Sequence, residues 1–301
     1  MKIIFYNHYH RGDLHFSRSF VEHTVLAIVK NYPNTEFLYV HQNSPDTISD
    51  IVNVREVSNS EINFPPNNQV SHGIDENGDK VIAINTWVGS NDFFREDCGC
   101  CFVGNQKLWS TIWSILDQEH GVVVVPPDNW EDVLPKINYD SYSYCSFIDD
   151  HLREINDKYQ KKVFVSNGVV LSNQAINFDF DPIIQRASQN HPDCVFYLTD
   201  DTGLDAPNIY KTRELIKKDG CDLNENSYLS RSCDVLIGRA SGPFAFACCY
   251  ENFMDKNKTF CIFTNGIGEG AWHTDGKCNY KWCRSENFPE IENIIETSLG
   301  E

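Results

Sequence analysis

The chain has 301 residues, of which 41% are hydrophobic, 13% aromatic and 23% charged, a composition that supplies apolar cores for two domains and excludes a disordered chain. Its formal net charge of −18 repels a nucleic-acid backbone and an anionic membrane, so a bound phosphate must rely on local backbone amides and a few basic side chains. No apolar run reaches the ~18 residues of a membrane span, and the opening run is too short for a secretion signal, so a cytoplasmic protein with no transmembrane segment and no nucleic-acid partner is expected.

In chain order, Lys2–Asn7 is an apolar run of strand length, and His15–Tyr32 carries Phe16, Phe20, Val21, Val25, Ile28 and Val29 at helical spacing. Glu36–His41 reads as a second strand, Val54–Val57 as a third and Lys80–Asn85 as the next, with the Pro-, Asn- and Gly-rich stretch Asn63–Gly78 taken as loop. Gln106–Leu116 is helical, Val122–Val125 suits a strand buried on both faces, and Tyr144–Gln160 is a charged helix. The pattern then restarts with strands at Lys162–Ser166, Cys194–Leu198, Asn208–Lys211, Asp234–Ile237 and Lys258–Phe263. Helices are expected at Pro182–Asn190, Asn226–Ser232, Pro243–Met254 and Phe288–Leu299. Such alternation predicts parallel sheets with right-handed crossovers. The fold class is therefore α/β, with two doubly wound Rossmann-like domains at 1–160 and 161–285 facing a central cleft, and a terminal helix in 286–301 expected to pack back on the first domain.

Twelve cysteines are scattered along the chain, and Cys194, Cys233, Cys248, Cys249 and Cys261 sit in apolar runs as small buried hydrophobes. Cys98-Gly99-Cys100-Cys101 contains a C-x-x-C, but Cys278 and Cys283 are irregularly spaced for completing a zinc site, and no metal is expected.

Ligands of open parallel sheets bind outside the carboxyl ends of the strands, which points to three loops. After the first strand come His8, His10, Arg11, Gly12 and Asp13, then Arg18 on the helix; Asp13 can take a proton from a hydroxyl or cap the helix. Asn167, Gly168, Ser172 and Asn173 follow the strand at Lys162–Ser166 and suit a phosphate or ribose, or an ordinary polar turn. Asp234–Ile237 runs into Gly238, Arg239, Ala240, Ser241, Gly242 and Pro243, reading as strand, tight turn and helix. There, free amides, the Ser241 hydroxyl and Arg239 can meet phosphate oxygens, or Ser241 can simply cap the helix. Trp87, just after a strand, offers an aromatic face that would suit a sugar or a core. Asp179-Phe180-Asp181 is a D-x-D of the kind that acidic chains contain by chance, and Gly266–Gly270 lacks the spacing of a dinucleotide fingerprint.

Gly12-Asp13 after the first strand, together with Ser241-Gly242-Pro243 in the second half, resembles the heptosyltransferase-like glycosyltransferases of the GT-B fold, with fucosyltransferase-like enzymes as comparable relatives. The chain departs from that family in carrying Ala240 and Ala245 where an Asp and a His are usual, and in lacking the lysine-bearing phosphate loop at 167–173. The resemblance implies a metal-independent, inverting transfer from a nucleoside-diphosphate sugar to a glycan or other hydroxyl acceptor, with the nucleotide sugar as co-substrate and no cofactor. It implies Asp13 as base and Ser241, Gly242 and Pro243 at the donor diphosphate, while the residue types at Asn167, Gly168, Ser172, Asn173 and Arg239 place these with the donor as well. His10, Arg11, Gly12, Arg18 and Trp87 would line the cleft, with Arg11 or Arg18 reaching the phosphates. Competing readings are a sugar-nucleotide epimerase on the same scaffold, a non-catalytic nucleotide- or glycan-binding protein, and a zinc-stabilised interaction module.

Overall fold

Short apolar runs ending in polar residues form the strands, and the computed structural model describes residues 1–59, 68–91, 102–155, 157–171, 174–265 and 276–300. The Cys98–Cys101 cluster, Ser172, Asn173 and Gly266–Gly270 lie outside the described residues. The described chain divides into two compact units, one within 1–138 and the other within 139–265 and 276–300.

The first unit holds β1 (Lys2–Asn7), β2 (Glu36–His41), β3 (Val54–Ser58), β4 (Val70–Ile74) and β5 (Lys80–Asn85), in the order β3-β2-β1-β5-β4. β1 is parallel to β2 and β5, and β2 to β3, while β4 runs antiparallel to β5. β4 falls in the stretch expected to be loop. It closes a hairpin at Asn77-Gly78, where Gly78 has φ 83° and Asp75 Oδ1 accepts the amides of Asn77 and Asp79. Helix α1 (Arg11–Asn31) begins four residues before the predicted start, and α2 is Phe102–His120. Phe5, Phe20, Trp109 and Trp113 pack into one aromatic core between the sheet and these helices, and Trp113 Nε1 donates to Thr24 Oγ1 at 2.9 Å. Each such ring withdraws a large apolar area from water, stabilising the unit by roughly 1.5–3 kcal/mol.

Val122–Val125, expected as a strand, belongs to neither sheet. Val122 and Val124 are buried and Val123 and Val125 exposed, the carbonyl of Val125 bonds the His23 ring at 2.7 Å, and the two prolines that follow lack the N–H a ladder needs.

The second unit holds β6 (Lys161–Ser166), β7 (Cys194–Leu198), β8 (Ile209–Lys211), β9 (Val235–Arg239), β10 (Thr259–Phe263) and β11 (Asn279–Cys283). All are parallel, in the order β11-β10-β9-β6-β7-β8. Counted from its own first strand, this is the doubly wound order 3-2-1-4-5-6, which reverses between β6 and β9. Its helices are α3 (Cys145–Ile155), α4 (Asp181–Asn190), α5 (Thr212–Ile216), α6 (Leu223–Ser230), α7 (Gly242–Ala245), α8 (Tyr250–Met254) and α9 (Phe288–Leu299).

The unit boundary falls well before residue 160. Tyr139 Oη bonds Ser227 Oγ at 3.0 Å, α3 packs on α5 and α6, and His151 of α3 meets Tyr197 and Tyr210 edge-on. α9 packs on β9, β10, β11 and α4, with Ile291, Ile295 and Leu299 in the core of the second unit rather than on the first. The expected helix Pro243–Met254 is broken at Cys249, which is extended, and Asn252 Nδ2 satisfies the freed Ala247 carbonyl. Among the described residues, no helix is long and apolar enough to cross a membrane.

Candidate functional site

In the first unit the strand order reverses between β1 and β5, so the segments 8–13, which include the first turn of α1, and 86–91 adjoin at the carboxyl ends of those strands. Asp13 is the third residue of α1 and 3% exposed. The N-cap is His10, whose side chain makes no capping bond, so Asp13 is not the cap; it sits where the amide ends of the first turn favour an ionised carboxylate. Beneath it a chain of hydroxyls links helix and sheet: Ser17 Oγ to Tyr39 Oη at 2.9 Å, and Tyr39 Oη to Thr86 Oγ1 at 2.5 Å. Burial raises the Tyr39 pKa well above that of an ordinary phenol, and the Asp13 charge adds to the effect.

The remaining residues of this loop divide by role. Arg11 Nη2 donates to Ser44 Oγ at 3.1 Å, while burial lowers the His10 pKa and so favours its neutral ring. Trp87 is half-buried against Tyr9. Arg18 corrects the expectation that it reaches a phosphate. It is 1% exposed, donates to the Thr47 carbonyl at 2.8 Å and pairs with Asp50 at 3.4 Å, so its cation is spent on the loop after β2.

In the second unit, Asn167 and Gly168 follow β6 and Ser241, Gly242 and Pro243 follow β9, on either side of the switch point. Arg239 again differs from expectation. It is 2% exposed and lies 4.8 and 4.4 Å from the ring centroids of Phe178 and Phe180. Its guanidinium donates to the carbonyls of Asn167 (2.7 Å), Gly168 (2.8 Å), Ile176 (3.0 Å) and Phe178. Four of the five N–H groups of an arginine are thereby used, which leaves no bidentate fork for a phosphate. Arg239 instead clamps the segment after β6. Burial lowers its pKa to about 10, which leaves it charged at neutral pH.

Asn167 is also structural: its Oδ1 accepts the Asp200 amide at 2.9 Å and its Nδ2 donates to the Asp200 carbonyl at 3.4 Å. A Cβ on Gly168 would collide with the Asp200 carboxylate. Gly238 is required by packing rather than by a ligand, because a Cβ there would run into the Phe244 ring. Gly238→Ala is therefore expected to destabilise the second unit by about 1–3 kcal/mol in urea denaturation, and an unchanged midpoint would contradict this packing role.

Ser241 is the N-cap of α7, its Oγ accepting the Phe244 amide at 3.3 Å, and the hydroxyl proton can still be donated. α7 spans only Gly242–Ala245, so an anion there would meet individual amides rather than a sizeable helix dipole. The D-x-D resolves into a turn, Asp179 Oδ1 accepting the Asp181 amide at 2.9 Å at the start of α4.

Sequence reading missed Asp200. It follows β7, the second strand of the doubly wound order, and is exposed beside Gly168. With Thr199, Arg213, Lys218 and Asp222 it lines a cavity of about 220 Å³ outside the carboxyl ends of β7 and β8. The signal was present: acidic residues directly after an apolar strand in a loop of the kind that carries ligands.

No protein-family model matches this chain, and a search of curated proteins finds no similar sequence. Among solved structures the chain is similar to a glycosyl transferase family 9 protein from Veillonella parvula, with 11% identity and a TM-score of 0.49, over 99% of this chain and 97% of that one. It is also similar to the E. coli heptosyltransferase WaaC with ADP-2-deoxy-2-fluoro heptose, with 8% identity and a TM-score of 0.48, over 100% and 99% of the two chains. For the E. coli ADP-heptose lps heptosyltransferase II the values are 10%, 0.46, 99% and 98%.

Proposed function

We propose that this chain is a glycosyltransferase that moves a sugar from a nucleoside-diphosphate sugar to a hydroxyl of a glycan or other acceptor, with inversion and without a metal. The observation that carries the reading is the pair of doubly wound units, each with ligand-type polar groups at the carboxyl ends of its strands: Asp13 at the switch point of the first, and in the second Ser241 and Gly242 at the switch point with Asp200 after the neighbouring β7. The Gly12-Asp13 and Ser241-Gly242-Pro243 resemblances support it from the sequence side.

On this reading the second unit binds the donor. The cavity beside Asp200 takes the nucleoside, the exposed carboxylate accepting ribose hydroxyls, and the turn at Ser241-Gly242 meets the diphosphate. Arg239 contributes by holding the 167–178 segment in place. Asp13 of the first unit removes the proton from the acceptor hydroxyl as its oxygen attacks the anomeric carbon. The bond from that carbon to the diphosphate oxygen breaks, and the diphosphate leaves with the electron pair and its negative charge, which amide and hydroxyl donors stabilise.

A thermal-shift panel of UDP, GDP, ADP, CMP and dTDP in EDTA tests this. One nucleotide at ~100-fold its Kd is expected to raise Tm by roughly 5–10 °C. No shift with any of them, with or without divalent metal, would overturn the reading; a shift that appears only with metal would overturn the metal-independent part.

A further inference from the structure

Tyr9 lies two residues past β1, in the loop that leads into α1 and Asp13. Its ring stacks on the indole of Trp87, with centroids 3.9 Å apart and planes 28° from parallel. Trp87 in turn follows β5, the neighbour of β1 across the switch point. Three features fix this pair. The Tyr9 amide donates to Asn7 Oδ1 at 3.0 Å, and the Trp87 amide donates to Asn85 Oδ1 at 3.0 Å. Gly89 lies so close to the indole that a Cβ would come within 2.5 Å of its ring atoms, so only glycine admits the indole there.

The stack with Trp87 covers one face of Tyr9 and the His10 ring lies 6.2 Å away, tilted by 36°, yet the residue remains 47% exposed. A ring held rigidly, half exposed and set among His8, His10 and Arg11, gains little for folding from that exposure. Rigid aromatic faces bind ligands at low entropic cost, because the side chain is already ordered.

We propose that the exposed ring of Tyr9 is a stacking platform for the acceptor, and that the acceptor therefore presents a carbohydrate ring there rather than a flexible alcohol. The C–H face of the sugar ring lies on the phenol ring, its rim hydroxyls meet the polar side chains of the loop, and one hydroxyl is left to Asp13. Trp87 acts through Tyr9 as a positioning residue and does not itself offer a face to the sugar. The assignment of the sugar as acceptor rests on the glycosyltransferase reading; the platform itself belongs wholly to the first unit.

The test is saturation-transfer NMR on the full chain with the methyl glycosides of glucose, galactose, mannose, rhamnose and N-acetylglucosamine, with glycerol as the non-ring control. Transfer is expected to the ring C–H protons of at least one glycoside and not to glycerol. It should fall roughly fivefold in Tyr9→Ala and persist in Tyr9→Phe, which keeps the ring. Absence of transfer from every glycoside in the unsubstituted protein, or equal transfer in Tyr9→Ala, overturns the proposal. The nucleotide panel is run on Tyr9→Ala in parallel: an unchanged thermal shift is expected, and a lost shift would mean that the ring stacks a nucleobase, which also overturns it. Tyr9-dependent glycoside binding with no nucleotide shift in either protein would uphold the platform while removing the donor reading.

Discussion

Arg239→Ala is expected to lose about 3–5 kcal/mol of stability, and with it roughly 10 °C of Tm. The guanidinium is the common donor for the carbonyls of Asn167, Gly168, Ile176 and Phe178, and it rests against the Phe178 and Phe180 rings. Alanine would leave the buried Phe178 carbonyl without a donor, three half-buried carbonyls short of one, and a cavity between the rings. Arg239→Lys should recover only part of the loss, since an ammonium has three donors on a flexible stem where four carbonyls need fixed directions. Nucleotide binding should weaken in both variants in proportion to the disorder of the 167–178 segment. Urea denaturation beside the nucleotide panel separates the alternatives. A variant that melts with the parent yet loses its nucleotide shift would return Arg239 to the phosphate.

The same residue shows where sequence stops being informative. An arginine after a strand and before Ser-Gly-Pro has the look of a phosphate ligand, and nothing local says that its partners lie 61–72 residues earlier in the chain. Arg18 is alike: its helix position is legible, while its partners Thr47 and Asp50 belong to the loop after β2. The central strands were legible because strands buried on both faces are continuous apolar runs, as in β7 and β9. Of the four edge strands, β3 and β8 were legible although neither has a buried residue, while β4 and β11 were not; Val70–Ile74 lies in a Pro-, Asn- and Gly-rich stretch and has no buried residue to mark it as a strand. For β4 the turn chemistry was the better signal, since Asn77-Gly78 marks a hairpin whatever the strands beside it contain. The four valines at 122–125 misled in the opposite sense, apolarity standing in for a ladder that the following prolines and the alternating burial do not support. On the site side, Gly12-Asp13 was placed at the right strand end, and the start of α1 at Arg11 rather than His15 is what turns Asp13 from a loop residue into a first-turn acid.

Asp13→Asn should lower turnover by about 10²–10⁴-fold and leave the nucleotide shift in place. Asparagine keeps the shape and hydrogen-bonding reach of the side chain but cannot take a proton from an attacking hydroxyl. The donor features all belong to the second unit, so this substitution is expected to act on kcat and not on donor affinity. Turnover can be followed as nucleoside diphosphate released from the sugar nucleotide of whichever base gives the thermal shift, with a glycoside that contacts Tyr9 as acceptor. A folding effect has to be separated from a chemical one, because Asp13 is 3% exposed in the first turn of α1 and its charge also stabilises the helix. That contribution is worth about 0.3–1 kcal/mol and appears in urea denaturation, whereas loss of a base appears in turnover of fully folded protein. If Asp13→Asn loses stability on that scale and keeps turnover near that of the parent, the carboxylate serves the helix alone, and the proton must be taken by another group of the 8–13 segment. His10 would then be the group to replace first, because burial lowers its pKa and keeps the ring neutral and able to accept a proton.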